Sequence, residues 1–177
     1  MLRLAFTICF SLYLCACVSS TKSSAREVPE SLRVPSGNIL ATELHGAGVQ
    51  IYVCQAKKDE PTKYEWTLKA PDARLTNEAG REVGRHYAGP TWEASDGSRV
   101  IGKLEQKKDA PGAADIPWLL LSAKSNEGDG QFARVSFIQR LDTKGGKAPT
   151  EGCDAAHAGQ EKRVEYAATY LFYVPGV

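Results

Sequence analysis

Thirteen consecutive residues, HYAGPTWEASDGS at 86–98, hold one of the chain's three histidines, two aromatic rings and an Asp-Gly-Ser turn. His86 could act as a general base if a nucleophile or carboxylate lay within hydrogen-bond reach. Ser98, Asp96 and Glu93 stand close in sequence, but none occupies a G-x-S-x-G nucleophile elbow. Tyr87 and Trp92 each join a large apolar face to a polar handle, which suits stacking on a sugar ring and equally suits a core. Asp96, followed by Gly97, is placed to hydrogen-bond its own backbone in a hairpin turn. The candidate ligand-binding residues are therefore His86, Tyr87, Trp92 and Asp96, with no catalytic residue assigned. The competing reading makes the stretch two turns and a strand, with His86 satisfied by a structural partner.

The cysteines raise a second question. Five are present, and His157 follows Cys153 by four residues, half of a zinc motif that Cys54 could extend. The N-terminus decides between metal and disulfide. MLRLAFTICFSLYLCAC carries one early charge, Arg3, then an apolar run too short to span a membrane but suited to the core of an export signal. Its end, Leu14-Cys15-Ala16-Cys17, resembles the bacterial lipobox, in which the last cysteine receives lipid. On this reading residues 1–16 are a lipoprotein signal peptide and Cys17 is lipidated. Residues 17–33, polar and rich in Ser, form a flexible tether. Val18 follows Cys17 where an Asp would favour retention at the inner membrane, so the expected place is the outer membrane, facing the periplasm. Cys9 and Cys15 leave with the signal, and Cys54 and Cys153 remain in an oxidising compartment. We expect them to pair, closing a loop worth about 4–5 kcal/mol in the chain-entropy model. No metal site and no cofactor are expected.

Charge and length narrow the partners. The formal net charge is +1, with no basic stripe, so nucleic acid is not an expected partner. Membrane contact would run through the lipid alone. The remaining 34–177, about 145 residues, suffice for one core and one domain.

What must position the candidate residues is a set of strands. VQIYVCQ (49–55) is β-branched, aromatic and apolar on both sides, as in a central strand. YEWTLKA (64–70) alternates Tyr64, Trp66, Leu68 and Ala70 against polar residues, as in a strand with one buried face. Further strands are expected at 99–106, 117–125, 132–141 and 163–174. In the last of these Val164, Tyr166, Ala168, Tyr170 and Phe172 share a face. Turn residues fall at Asn77–Gly80, Asp96-Gly97, Glu127–Gly130 and Lys144–Gly146. Only CDAAHAGQEK (153–162) could make a turn or two of helix. The fold class is all-β and mainly antiparallel, a β-sandwich or small β-barrel with little helix.

VPSGNILATELHGAGVQIYVCQ, WTLKAPDARL, GREVGRHYAGPTWEASDGS, IPWLLL, IQRLDTKGGKAP and VEYAATYLFY together resemble the DUF3455 family. The likeness runs over about residues 34–174, in order. It implies an exported protein, as found among bacterial and fungal members, and implies no activity. Some fungal members carry a malate dehydrogenase label, which the residues here do not support. Gly46-Ala47-Gly48-Val49-Gln50-Ile51 begins like a dinucleotide fingerprint but has Ile51 in place of the third glycine. It also runs into β-rich sequence where a helix must open.

Three functions then compete. The first is a non-catalytic binding domain held at the membrane, taking a cell-wall polymer, a small ligand or a protein. The second is a carbohydrate hydrolase of the cell envelope. It needs two facing carboxylates, for which Asp72, Glu93, Asp96 and Asp115 are candidates. The third is an inhibitor of an attacking lysozyme, with the 86–98 stretch as an exposed, rigid loop, an analogy from architecture alone.

Overall fold

Strands dominate because β-branched and aromatic residues alternate with polar ones through most of the chain, and glycine or aspartate interrupts each run. The computed structural model describes residues 26–176. The signal 1–16 and the lipidation site Cys17 lie outside the described residues. Eight strands follow in order: β1 (Asn38–Ala56), β2 (Tyr64–Thr76), β3 (Glu82–Tyr87), β4 (Thr91–Ala94), β5 (Arg99–Lys108), β6 (Trp118–Glu127), β7 (Phe137–Gly145) and β8 (Glu161–Pro175). Each pairs antiparallel with the next, and β8 returns to pair with β1 from Asn38↔Pro175 to Val53↔Glu161, which closes a barrel. Of sandwich and barrel, the barrel is found. Two single 3-10 turns, Glu30–Leu32 and Ala155–His157, are the helical elements among the described residues.

Several strands are longer than their sequence signals. The continuous run at 49–55 is only the end of β1, which carries Gly46 and Gly48 ahead of it. Those glycines weaken a strand signal but make room inside. A Cβ on Gly46 would come 2.5 Å from the Tyr170 ring, and one on Gly102 would come 2.9 Å from the Trp92 ring. The barrel thus accommodates its two largest interior side chains by leaving gaps in the strands paired beside them.

The core fills the barrel. Leu44, Leu75, Trp92, Val100, Leu121, Ile138, Tyr166, Tyr170 and Phe172 form one buried cluster. Tyr166, Ala168, Tyr170 and Phe172 all point into it, as their alternation requires. One end is plugged by the β6–β7 connection. The strand expected to begin at 132 begins at Phe137. Phe132 and Val135 instead drop into the core from this loop. Four of its bonds fix the segment that enters the core. Asp96 accepts from the Gln131 amide, Ser98 Oγ accepts from the Phe132 amide, and Asn126 Nδ2 donates to the Phe132 and Val135 carbonyls.

At the opposite end the β7–β8 connection, residues 146–160, folds over part of the opening. Tyr52 donates to the Gly146 carbonyl, Trp66 Nε1 donates to the Glu151 carbonyl, and Cys54 is bonded to Cys153. The expected disulfide is present and ties this loop to β1. The expected helix there is one 3-10 turn, capped by Asp154, which accepts from the amides of Ala156 and His157.

Residues 26–33, read from sequence as part of a tether, lie along the outer wall. Leu32 is fully buried with Leu120, Leu141 and Leu171, and Val28 and Val34 pack beside them. Arg26 donates to Glu43 and Asp142, and Gln139 Nε2 donates to the Leu32 carbonyl. A few well-spaced apolar residues suffice here because β6–β8 present a matching outward patch, which no local composition reveals. The strap, the barrel wall and the two end loops pack against one another between Arg26 and Gly176.

The disulfide closes a separation of 99 residues. Replacing both cysteines with alanine should therefore cost about 4.7 kcal/mol by loop entropy. Urea unfolding of residues 26–177 with and without the bridge measures it. A loss below about 1 kcal/mol would mean that the denatured chain is already constrained without it.

Candidate functional site

β3 and β4 place residues 86–94 on two faces. His86 pairs with Trp92 across the strands and both point inward, while Arg85 pairs with Glu93 and both point out. The imidazole and indole stack at 4.3 Å and 11°, and Tyr170 meets both rings edge-on. His86 Nδ1 lies 2.9 Å from the Thr91 carbonyl oxygen. A carbonyl only accepts, so Nδ1 carries the proton and Nε2 keeps a bare lone pair. Burial pushes the imidazole down to about 3, the Thr91 bond opposes this, and the Arg140 charge adds to it. His86 is thus neutral at physiological pH.

The four candidate residues do not form one site. Trp92 is core. Tyr87 lies on the outer wall, where its hydroxyl donates to Glu93 and Arg85 sits over its ring. The hydrogen bond is the largest cause that raises the Tyr87 phenol and lowers the Glu93 carboxyl, while the Arg85 charge pulls both downward. Asp96 sits at the plugged end. Bonds from the Ser98 hydroxyl, the Gln131 amide and the Ser98 amide hold its carboxyl low. His86 alone reaches the open end.

There the core stops short of the mouth and leaves a cavity of about 410 Å³. Its lining includes Gln50 from β1, His86 from β3, Arg140 from β7, and Leu68, Leu104 and Leu119 from β2, β5 and β6. Most of the wall is apolar, and of its polar members Gln50 and His86 are buried and Arg140 is half-buried. Gln50 is 1% exposed and its Nε2 has no hydrogen-bond partner. Arg140 donates through Nε and Nη2 to the Pro117 carbonyl, and among the described residues no carboxylate pairs with it. Leu68 and Leu104, about half exposed, form the lip. The face of β2 read as buried is therefore open at Leu68, because the barrel interior is unfilled beside it.

Sequence reasoning passed over Gln50, Arg140 and the three leucines. A glutamine inside VQIYV and an arginine inside FIQRL were visible signals, since each interrupts an apolar run. Which strands face one another across the interior was not visible.

The four acids considered for hydrolysis are dispersed. Asp72 pairs with Arg163, Glu93 with Arg85, Asp96 holds the plug loop, and Asp115 accepts from the Gly145 amide. None lines the cavity. With Cys54 and Cys153 joined, neither sulfur is a thiolate ligand beside His157. Among the described residues no group of three or more His, Cys, Asp or Glu could hold a metal ion. The Gly46–Ile51 segment lies within extended β1, with no helix after it.

An eight-stranded up-and-down antiparallel barrel, plugged at one end and open at the other onto a partly polar cavity, defines the class of small barrels that enclose a single ligand-sized space. Within that class the chain belongs to the family described as "Protein of unknown function (DUF3455)", whose model matches residues 35–174. No curated protein and no solved structure matches it. The disulfide marks an exported protein, and no helix among the described residues is long and apolar enough to cross a membrane.

Buried His86 makes stability pH-dependent. The unfolded chain takes up its proton near pH 6.5 and the folded chain only near 3. Stability is therefore complete above 6.5 and falls with pH, by up to about 1.4 kcal/mol per unit between those values. The lowered carboxylates Glu43, Glu93, Glu105, Asp96 and Asp154 act below their unfolded values of 4.5 and 3.8, outside most of this window. Between pH 7 and 5 we expect a loss of about 2 kcal/mol from this residue, by the same linkage. The loss should be absent in His86→Phe. Urea midpoints at the two pH values check it, and equal pH slopes in both proteins would contradict it.

Proposed function

We propose that this protein is a non-catalytic binding barrel of the cell envelope that takes a small, largely apolar ligand into its open mouth. The observation that carries the reading is the Gln50 amide lining the cavity, buried and without a partner. An orphaned buried N–H costs about 1–3 kcal/mol, and an apolar residue of similar shape would avoid that cost. Such a group has a use if an acceptor arrives from outside the chain. The apolar walls and the half-exposed leucines at the lip suit a ligand with an apolar body. A cell-wall polymer fits this enclosure less well than a small molecule. The 86–98 stretch, with His86 and Trp92 inside the barrel, does not offer the exposed loop an inhibitor needs.

In this reading Cys17 carries a lipid that holds the barrel at the membrane, with the outer membrane as its destination. In cells fed an alkyne-tagged palmitate the wild-type chain takes up label and Cys17→Ser does not. Equal labelling of the two would remove the anchor from the proposal.

The binding reading is tested with Nile red, an uncharged dye that brightens in apolar sites, on residues 26–177. A saturable site with one dye per chain is expected. Leu104→Glu, at an exposed position where stability changes by no more than about 0.5 kcal/mol, should weaken it at least fivefold. Gln50→Leu should leave Tm unchanged or raised. Absence of saturable dye binding would end the reading.

A further inference from the structure

The ligand's chemistry can be narrowed, on the assumption that the mouth is a binding site. We propose that it takes an amphiphile with a carboxylate head of the fatty-acid type. The carboxylate would meet Gln50 Nε2 and the Arg140 guanidinium, and the hydrocarbon would lie between Leu68, Leu104 and Leu119.

Three observations select this class. Arg140 carries a full positive charge into an otherwise uncharged interior. A guanidinium has five N–H groups; the Pro117 carbonyl takes those of Nε and Nη2, and the only other group that draws on the guanidinium among the described residues is the neutral Tyr170 hydroxyl. A carbonyl also supplies no counter-charge, and among the described residues no acid pairs with Arg140. Around it lie neutral His86 and the buried phenols of Tyr52, Tyr166 and Tyr170, on all of which its charge acts. An uncompensated charge in such surroundings favours an incoming anion and repels a cation.

The second observation is Gln50. Its Nε2 is a donor awaiting an acceptor oxygen, and a carboxylate has lone pairs for both it and a guanidinium. His86 beside them offers only an acceptor at Nε2, which would suit the protonated head of a neutral acid but adds nothing to a carboxylate. The third is the wall. A sugar or peptide would need many polar partners, whereas beyond these groups the lining is dominated by Leu, Pro and Ala, with Lys69 at the rim paired to Glu161. Polar groups and apolar walls together describe an amphiphile bound head-first.

The test compares three ten-carbon compounds that differ only in the head: decanoate, decanol and decyltrimethylammonium. Each is titrated, below its micelle concentration, against Nile red on residues 26–177. Decanoate should displace the dye at least tenfold more tightly than decanol, and the cation should be weakest. In Arg140→Met the decanoate-to-decanol ratio should fall to within twofold of one, and Arg140→Lys should restore most of it. If Arg140→Met does not fold, the wild-type ranking and the lysine variant decide. Equal affinity for decanoate and decanol, or a preference for the cation, would overturn the carboxylate head while leaving the binding reading intact. A ratio undiminished in Arg140→Met would overturn the role of Arg140. Saturable dye binding that none of the three compounds displaces would overturn the class of ligand, whereas no dye binding at all would overturn the underlying reading.

Discussion

Pairing of β8 with β1 over nearly the whole length of both strands is the contact on which the rest of this structure depends. It leaves the sheet without a free edge and forces every second residue of eight strands into a single enclosed interior. The volume of that interior is then set by strand number and tilt, not by the side chains that must fill it. The sequence responds by balancing large against small. Tyr170 and Trp92 take the middle, and Gly46 and Gly102 give way to them. The interdigitation of Trp92, His86, Tyr170 and Phe172 follows from this crowding.

A closed barrel still has two ends, and they are treated differently. One receives Phe132 and Val135 from a loop whose backbone is fixed by Asp96, Ser98 and Asn126. Polar side chains there replace the hydrogen bonds that a strand would have made. The other end is spanned by a longer loop held at Tyr52, Trp66 and the disulfide, and that loop covers only part of the opening. The cavity is what remains between the top of the aromatic layer and the incomplete cover. Its rim leucines are exposed for the same reason: the strands continue past the level at which the core stops.

Inside that space, polar groups sit where apolar ones would fold as well or better. His86 is kept neutral by burial, Gln50 lacks a partner, and Arg140 lacks a counter-charge. Burying an amide without a partner or a charge without a counter-charge is unfavourable to folding. The bond to Thr91 and the stack on Trp92 account for His86, whereas the proposed ligand, with an anionic head and an apolar body, would answer to the amide, the guanidinium and the walls together.

Much of this was legible in the residues. Period-two alternation and turn glycines marked most strands and predicted an all-β domain, because both signals are local consequences of strand geometry. Counting cysteines against an export signal paired Cys54 with Cys153, because only two remained. Other features were decided by tertiary structure. Alternation separates two faces of a strand but does not say which faces will meet across an enclosed space. His86 and Asp96 therefore read as neighbours yet lie toward opposite ends, while Gln50 and Arg140, ninety residues apart in the sequence, line one cavity. The strap at 26–33 follows the same rule, since its few apolar residues acquire meaning only from the patch on β6–β8 that receives them. Sequence by itself determined the strands, the turns and the disulfide, which depend on neighbours in the chain or on simple counting. Closure of the barrel decided the interior, the cavity and the strap, because those depend on which surfaces are left facing each other once the ends of the sheet have joined.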